Sequence, residues 1–172
     1  MLEWFPISNP VMEIRNGRLD DAAEIARIFN FYVRTSDVIF SEHELSEEEM
    51  KRKLAPVAGH FPFLVAEEDG RLLGYCYAHP WQPDYVYRFT LELTEYLDHE
   101  SLSKGLGTRM LQMVIDQCRA AGFHSVVSAV TGGNIPCERM HDKLGFRVVG
   151  VVKDSGFKFG RFLDDVFYQL IL

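Results

Sequence analysis

Apolar positions recur along this chain with two periods, and the switches between them mark out the elements. "MEIRNG" (12–17) alternates as a short strand and closes on Asn16-Gly17. Asp20 and Asp21 then open a helix in which Ala22, Ile25, Ala26, Ile28 and Phe29 recur at helical spacing. Ser46 and Glu49 stand at the spacing of a capping box and start a second, short helix. "FPFLVAEEDGRLLGYCYAHP" (61–80) reads as a hairpin, two β-rich runs around Asp69-Gly70. In the long strand expected over 87–97, Phe89, Leu91, Leu93 and Leu97 fall on one face. Arg88, Thr90, Glu92, Thr94 and Tyr96 fall on the other.

The period then changes. "SLSKGLGTRMLQMVIDQCRAAG" (101–122) is a glycine-bearing loop running into a helix with Leu106, Met110, Leu111, Val114 and Cys118 on its apolar stripe, stopped at Gly122. "SVVSAV" (125–130) is a short interior strand. "NIPCERMHDKLGF" is a loop and helix ending at Gly145, and "RVVGVV" and "DVFYQLIL" close the chain as strands. The expected order is β-α-α-β-β-β-α-β-α-β-β, a mixed sheet with helices. No repeat or linker interrupts it. "MLEWFPISNPV" reads as an N-terminal extension (1–11), and the domain as 12–172.

A helix that opens on Lys104-Gly105-Leu106-Gly107 presents backbone N–H groups with no intrahelical partner and partial positive charge, a place for an anion. The rest of the chain narrows which anion. With 18 Lys+Arg against 25 Asp+Glu the formal net charge is −7, which argues against a nucleic-acid partner. A P-loop needs Gly-Lys-Ser/Thr at the helix start, but here the lysine precedes Gly105. A Rossmann turn needs a third glycine where Met110 stands. Both nucleotide readings fail on spacing. Cys76, Cys118 and Cys137 form no Cys-x-x-Cys pair, and the six histidines show no ligand spacing, so no metal is expected. No apolar run approaches the roughly 20 residues of a membrane span. The three cysteines, widely spaced and odd in number, suggest no disulfide framework, so the expected home is the reducing cytoplasm; the extension lacks a signal peptide's basic start and long apolar core.

The succession of long strand, Gly-x-Gly turn, helix, apolar strand, Asn-led loop and helix ending in Gly-Phe resembles the GNAT (GCN5-related N-acetyltransferase) superfamily. It is closest in pattern to that superfamily's phosphinothricin and methionine sulfoximine acetyltransferases. "VYRFTLELTEYL" is similar to their catalytic strand, "SLSKGLGTRML" to their cofactor loop and "NIPCERMHDKLGF" to their Asn-led helix. "GFKFGRFLDDVFYQ" is similar to their C-terminal motif. The chain departs from the pattern at Leu102, Cys137 and Phe162, where those relatives carry Gln/Arg, Ser and Trp. The resemblance runs from about Met12 to the C-terminus. It implies an α+β domain with a mixed, mostly antiparallel sheet flanked by helices, the acyl-CoA N-acyltransferase fold.

It also implies the chemistry. Acetyl-CoA is the co-substrate, with its pyrophosphate on the loop residues Ser103, Lys104, Gly105, Leu106, Gly107 and Thr108, and its pantetheine arm near Asn134. Acetyl transfer to an amine needs a base, because an ammonium has no lone pair. Glu92 is the candidate from its place on the polar face, and the resemblance points to the same residue; the competing role is an ion pair with Arg88. Backbone groups near Leu93 would face the oxyanion. His141 stands where many relatives carry a tyrosine that protonates the leaving thiolate, and a packed histidine is the other reading. Lys158, Arg161 and Arg88 are candidates for the acceptor's acidic group, and Phe31, Phe40 and Trp81 for its walls.

The function expected is acetyl-CoA-dependent N-acetylation of a small amino-acid-like amine. A peptide or protein N-terminus, a polyamine or an aminoglycoside as acceptor, or a non-catalytic acetyl-CoA-binding module, are the alternatives. A homodimer is implied by the resemblance and by the apolar ending "DVFYQLIL".

Overall fold

In the computed structural model, residues 12–102 and 105–172 are described; the N-terminal extension 1–11, Ser103 and Lys104 lie outside the described residues. Seven strands and four α-helices follow in the expected order. The strands are β1 (Glu13–Asn16), β2 (Phe63–Glu68), β3 (Arg71–Pro80), β4 (Thr90–Leu97), β5 (Ser125–Thr131), β6 (Arg147–Lys158) and β7 (Arg161–Ile171). The helices are α1 (Ala22–Thr35), α2 (Glu47–Leu54), α3 (Leu106–Ala120) and α4 (Ile135–Lys143). The sheet order is β1-β2-β3-β4-β5-β7-β6, antiparallel throughout except between β4 and β5.

The local signals act as the physics requires. Ser46 accepts from the Glu49 N–H while the Glu49 carboxylate accepts from the Ser46 N–H, so α2 begins on a reciprocal cap. Asp69 and Gly70 both take positive φ (50° and 80°), the hairpin turn that matches the twist of β2 and β3.

Two strands differ from expectation. β4 starts at Thr90, because residues 85–87 form a 3-10 turn, and Phe89 is half-exposed ahead of the strand rather than on its buried face. The strand's even alternation therefore places Glu95 with Leu91, Leu93 and Leu97 on the side facing α3. β6 and β7 are longer than the apolar runs suggested. They continue through "KDSGFK" and "RFLD" into a tight hairpin at Phe159-Gly160, both with positive φ. β7 is also interior, between β5 and β6, so the apolar ending is paired on both sides within its own sheet, and β6 is an edge.

Two apolar clusters hold the sheet. One joins Leu64, Ala66, Cys76, Ala78, Leu91 and Leu93 to Met110, Leu111, Val114 and Ile115 of α3, and extends to Val126, Val130 and Tyr168. The other packs Ile25, Ile28, Phe29, Met50 and Leu54 of α1 and α2 onto Phe63, Val65, Tyr75 and Tyr77. No residue of β5, β6 or β7 belongs to this second cluster. The β1–β4 half is thus covered on both faces and the β5–β7 half on one.

Candidate active site

β4 and β5 run side by side only for Thr90–Glu92 against Ser125–Val127. Beyond that row both strands continue, β4 on β3 as far as Leu97 and β5 on β7 as far as Thr131. The sheet therefore opens into a wedge at Glu92 and Val127. Leu93, the first residue past the row, keeps its antiparallel partner Ala78 on β3 but has no ladder partner toward β5. Backbone groups on the inner edge of β4 are free to meet a ligand, and such groups are not left unpaired in a closed sheet.

At the wedge's mouth stands the start of α3. Gly105 is the N-cap, with φ 76° and ψ 1°, a left-handed conformation that suits glycine, and no neighbour lies within 4 Å of where its Cβ would be. The first helical hydrogen bond runs from Arg109 N–H to Gly105 C=O. The Leu106, Gly107 and Thr108 N–H groups precede it and have no backbone partner among the described residues, the place where a helix start leaves its donors free. A cavity of about 180 Å³ on the β2–β3 side of this turn is lined by Glu68, Leu73, Ser101, Gly105, Leu106 and Arg109, among others. An anionic diphosphate suits the helix start itself, where donors and dipole both favour it.

Glu92 is half-buried on the face opposite α3, across from His79 on β3. Burial pushes its carboxyl above the ordinary range; His79 works against this and Asp165 on β7 adds to it. A carboxylate with a raised pKa is a stronger base in its ionised form. The ion pair with Arg88 does not form. That guanidinium lies 4.3 Å from the Tyr85 ring centre and 4.5 Å from that of Phe89, and it donates to the Tyr85 carbonyl at 3.2 Å. Asp165 has no counterpart among the sequence candidates. Its register position opposite Thr131 puts it on the Glu92 face, and the alternation of β7 would have given that face had the strand's start been known.

The remaining candidates divide. Asn134 caps α4, its Oδ1 accepting from the Cys137 N–H at 3.4 Å, with Gly133 at φ 86° before it. His141 is buried on α4 between the Phe146 and Tyr168 rings. Its Nδ1 donates to the Cys137 carbonyl at 2.9 Å, and Nε2 has no partner among the described residues. Burial lowers its pKa against the opposing pull of that carbonyl and of Asp142, so the ring is neutral and core-packed. Burial holds the Cys137 thiol up at about 12, which removes it as a nucleophile. Phe31 stacks on His99 at 3.9 Å, past the end of β4. Trp81 packs on Tyr87 near the strand's start, so these two aromatics do not share one wall. Phe40 lies against Gly156. Lys158 is buried with its ammonium on the Ser36 and Ile39 carbonyls, and Arg161 pairs with Asp37. The basic pair expected to meet an acceptor is engaged with the chain itself. Ser103 and Lys104 lie outside the described residues.

Residues 14–167 match the profile of the acetyltransferase (GNAT) domain family. The chain belongs to the GNAT acetyltransferases. It is 38% identical over 159 residues to a phosphinothricin N-acetyltransferase of Alcaligenes faecalis, covering 91% of this chain and 80% of that one. It is 34% identical to the L-methionine sulfoximine/L-methionine sulfone acetyltransferase of Pseudomonas aeruginosa, covering 92% and 94%. The structure of a phosphinothricin acetyltransferase from Sinorhizobium meliloti in complex with acetyl-CoA superposes with a TM-score of 0.89 at 32% identity, over 94% of this chain and 88% of that one. The wedge, the glycine turn and Glu92 of this GNAT chain all fall within the matched range. Among the described residues no group of three or more His, Cys, Asp or Glu side chains is arranged to hold a metal ion.

Proposed function

We propose that this GNAT chain transfers the acetyl group of acetyl-CoA to the amine of a small amino-acid-like substrate, with Glu92 as the base. The observation that carries the reading is the wedge: β4 and β5 part at the row that holds Glu92, and the orphan donors of α3 stand at its mouth. Acetyl-CoA supplies the activated acyl thioester. The N–H groups of Leu106, Gly107 and Thr108 would hold its diphosphate. The freed inner edge of β4 from Leu93 onward would orient its arm and offer an N–H toward developing oxyanion charge. Glu92 takes the amine's proton, directly or through water, and its half-buried setting keeps the carboxylate basic enough to do so. Relatives named for phosphinothricin and for methionine sulfoximine and sulfone support an acceptor with an amino-acid frame. His141, buried between the Phe146 and Tyr168 rings, supports the packed reading over proton donation to the thiolate.

The chain is further proposed to work as a homodimer in the cytoplasm. The surface that favours a second copy is the edge strand β6 and its hairpin end, where Val148, Val149, Val151, Val152, Phe157 and Phe162 are all exposed. An apolar edge strand left open invites pairing with another chain. Three free thiols suit a reducing compartment. Among the described residues no helix is long and apolar enough to cross a membrane.

The direct test is thiol release from acetyl-CoA with a panel of acceptors: phosphinothricin, methionine sulfoximine, methionine sulfone, a polyamine, an aminoglycoside and a peptide N-terminus. Turnover is expected with the first three. Binding of acetyl-CoA without turnover of any acceptor would favour a sensing module instead.

A further inference from the structure

The segment after α1 crosses the wedge, and it is held on the far side by groups remote from it in sequence. Phe29 and Tyr32 place the end of α1 on the Tyr96 ring, over the β1–β4 half. Residues 36–40 then reach the β5–β7 half. The Thr131 hydroxyl, at the last residue of β5, donates to the Asp37 carbonyl at 3.1 Å. The Lys158 ammonium donates to the Ser36 carbonyl at 2.7 Å and to the Ile39 carbonyl at 2.8 Å. Arg161 pairs with the Asp37 carboxylate. The Phe40 ring seats on Gly156, where a Cβ would stand only 2.9 Å away. Thr131 is an even number of residues along β5 from Val127, the partner of Glu92, so its hydroxyl lies on the Glu92 face. Residues 36–40 therefore bridge the opening on the side of the base.

We propose that Lys158 and Arg161 are positioning residues for the acceptor: they hold residues 36–40 as a strap over the acceptor side of the wedge, which fixes the amine relative to Glu92. The proposal rests on the acetyltransferase reading above. An ammonium whose side chain is 2% exposed costs free energy unless every donor has a use, and two carbonyls of one short segment provide it. Phe159, next to it at the hairpin turn, is exposed, and the partners of the buried ammonium are the carbonyls of residues 36 and 39. The Lys158 ammonium is then not available to bind an acceptor directly, and the Arg161 guanidinium is committed to Asp37. Their effect passes through the strap's position, and the cofactor cradle at α3 stands on other elements.

The test compares Lys158→Met, Arg161→Ala, Asp37→Asn and the Arg161→Ala/Asp37→Asn double variant, with phosphinothricin as acceptor. Acceptor KM, kcat, acetyl-CoA affinity by calorimetry and melting temperature are measured on each. Lys158→Met should raise the acceptor KM about tenfold, the weight of one charged hydrogen bond, with acetyl-CoA affinity unchanged. Arg161→Ala should raise it less, and the double variant should be no worse than Arg161→Ala alone, because both changes remove one contact. Arg161 is exposed, so its variant carries the test if Lys158→Met does not fold. An unmoved acceptor KM with a lowered melting temperature would make the pair purely structural and overturn the proposal. So would an equal loss of acetyl-CoA affinity. Wild-type protein that releases no thiol with any acceptor overturns the acetyltransferase reading itself, whereas active wild type with unmoved variants overturns the strap alone.

Discussion

The two halves of the sheet are built differently. β1–β4 are sandwiched between α1 and α2 on one face and α3 on the other, while β5, β7 and β6 carry helices on one face and, on the other, the helix-free segment 36–40. The closed half has residues such as Ile25, Val65 and Leu54 at 0% exposure. The open half shows Ala129 and the valines of β6 to solvent. The wedge lies where the two meet. A rigid half can hold Glu92 and the α3 cradle in place, and a half with a free face leaves room for an acceptor and for a second copy. The proposed function sits on this boundary, where a carboxylate fixed in the closed half faces open space.

The largest effect should come from the boundary. Glu92→Gln keeps the shape and removes the base, so turnover at neutral pH should fall about 10²–10⁴-fold. Acetyl-CoA affinity should hold, since the cradle is on α3. Raising the pH should restore part of the rate, because more amine arrives neutral. In the wild type the base works only when ionised, so its rate should rise with pH through the elevated Glu92 pKa. The same elevation means that the native state holds this proton more tightly than the unfolded chain. Its contribution to stability is therefore greatest below the ordinary glutamate value and is lost as pH rises through the elevated one. Glu92→Gln should melt no lower than wild type near neutrality. Pre-steady-state rates and melting curves across pH decide both points, and normal turnover in folded Glu92→Gln protein would remove Glu92 from the mechanism.

Next should come the closed half. Ile25→Ala, at a site where α1 meets β2 and β3, should cost about 2–5 kcal/mol by denaturant unfolding. A loss under about 1 kcal/mol would mean that this half is not the rigid one, since buried Ile→Ala changes do not fall that low.

The same half is stapled at its far end. Burial raises the Asp98 carboxyl, but the Glu100 N–H and the guanidinium groups of Arg27 (2.6 Å) and Arg71 (2.9 Å) outweigh it and bring it to about 2. A lowered carboxylate stabilises the fold above its ordinary pKa and loses that contribution as pH falls toward 2. Asp98→Asn should cost about 1.5–3 kcal/mol at neutral pH, the range for hydrogen bonds to charged groups. It should also flatten the stability loss between about pH 4 and 2. An unchanged acid limb in the variant would assign that limb to other carboxylates.

The halves also differ in how far the sequence discloses them. In the closed half and the wedge, each element announces itself locally. Ser46 with Glu49, Asp69 with Gly70, and Gly105 ahead of an apolar stripe are all places where backbone geometry demands a residue type. Glu92 was legible because a period of two put it on the polar face. Glu95 followed the same rule onto the apolar face, where it pairs across the ladder with Cys76. Its Oε1 has no partner among the described residues, and burial drives its carboxyl far above the ordinary range. In the open half the alternation fails. β6 slips register between Val148 and Gly150 and again between Val152 and Gly156, so "KDSGFK" does not read as strand. The engagement of Lys158 was not legible at all: its carbonyl partners lie 119 and 122 residues earlier.

The smallest local effect should come from the open half, and it carries the sharpest test of what that half is for. Val151 stands on the edge strand, 45% exposed, opposite Val166. If nothing covers β6 in solution, Val151→Asp is a surface change, worth within about 0.5 kcal/mol. Sedimentation would then be identical for wild type and variant. If a second copy covers it, the wild type should sediment as a dimer. The variant would place a carboxylate in that apolar contact, a charge that pairs with nothing when desolvated, and should sediment as a monomer. The expected outcome is dimeric wild type, monomeric variant and a closed half that still unfolds with the wild-type dependence on denaturant. Kinetics on the same monomer then separate two uses of the β6 edge. Unchanged acceptor KM would mean that the acceptor side is complete within one chain, as a strap anchored in the same chain requires. A raised KM with intact acetyl-CoA affinity would mean that the second copy closes the acceptor side as well. Monomeric wild-type protein at all concentrations would leave the apolar edge without a partner of its own kind and end the dimer reading.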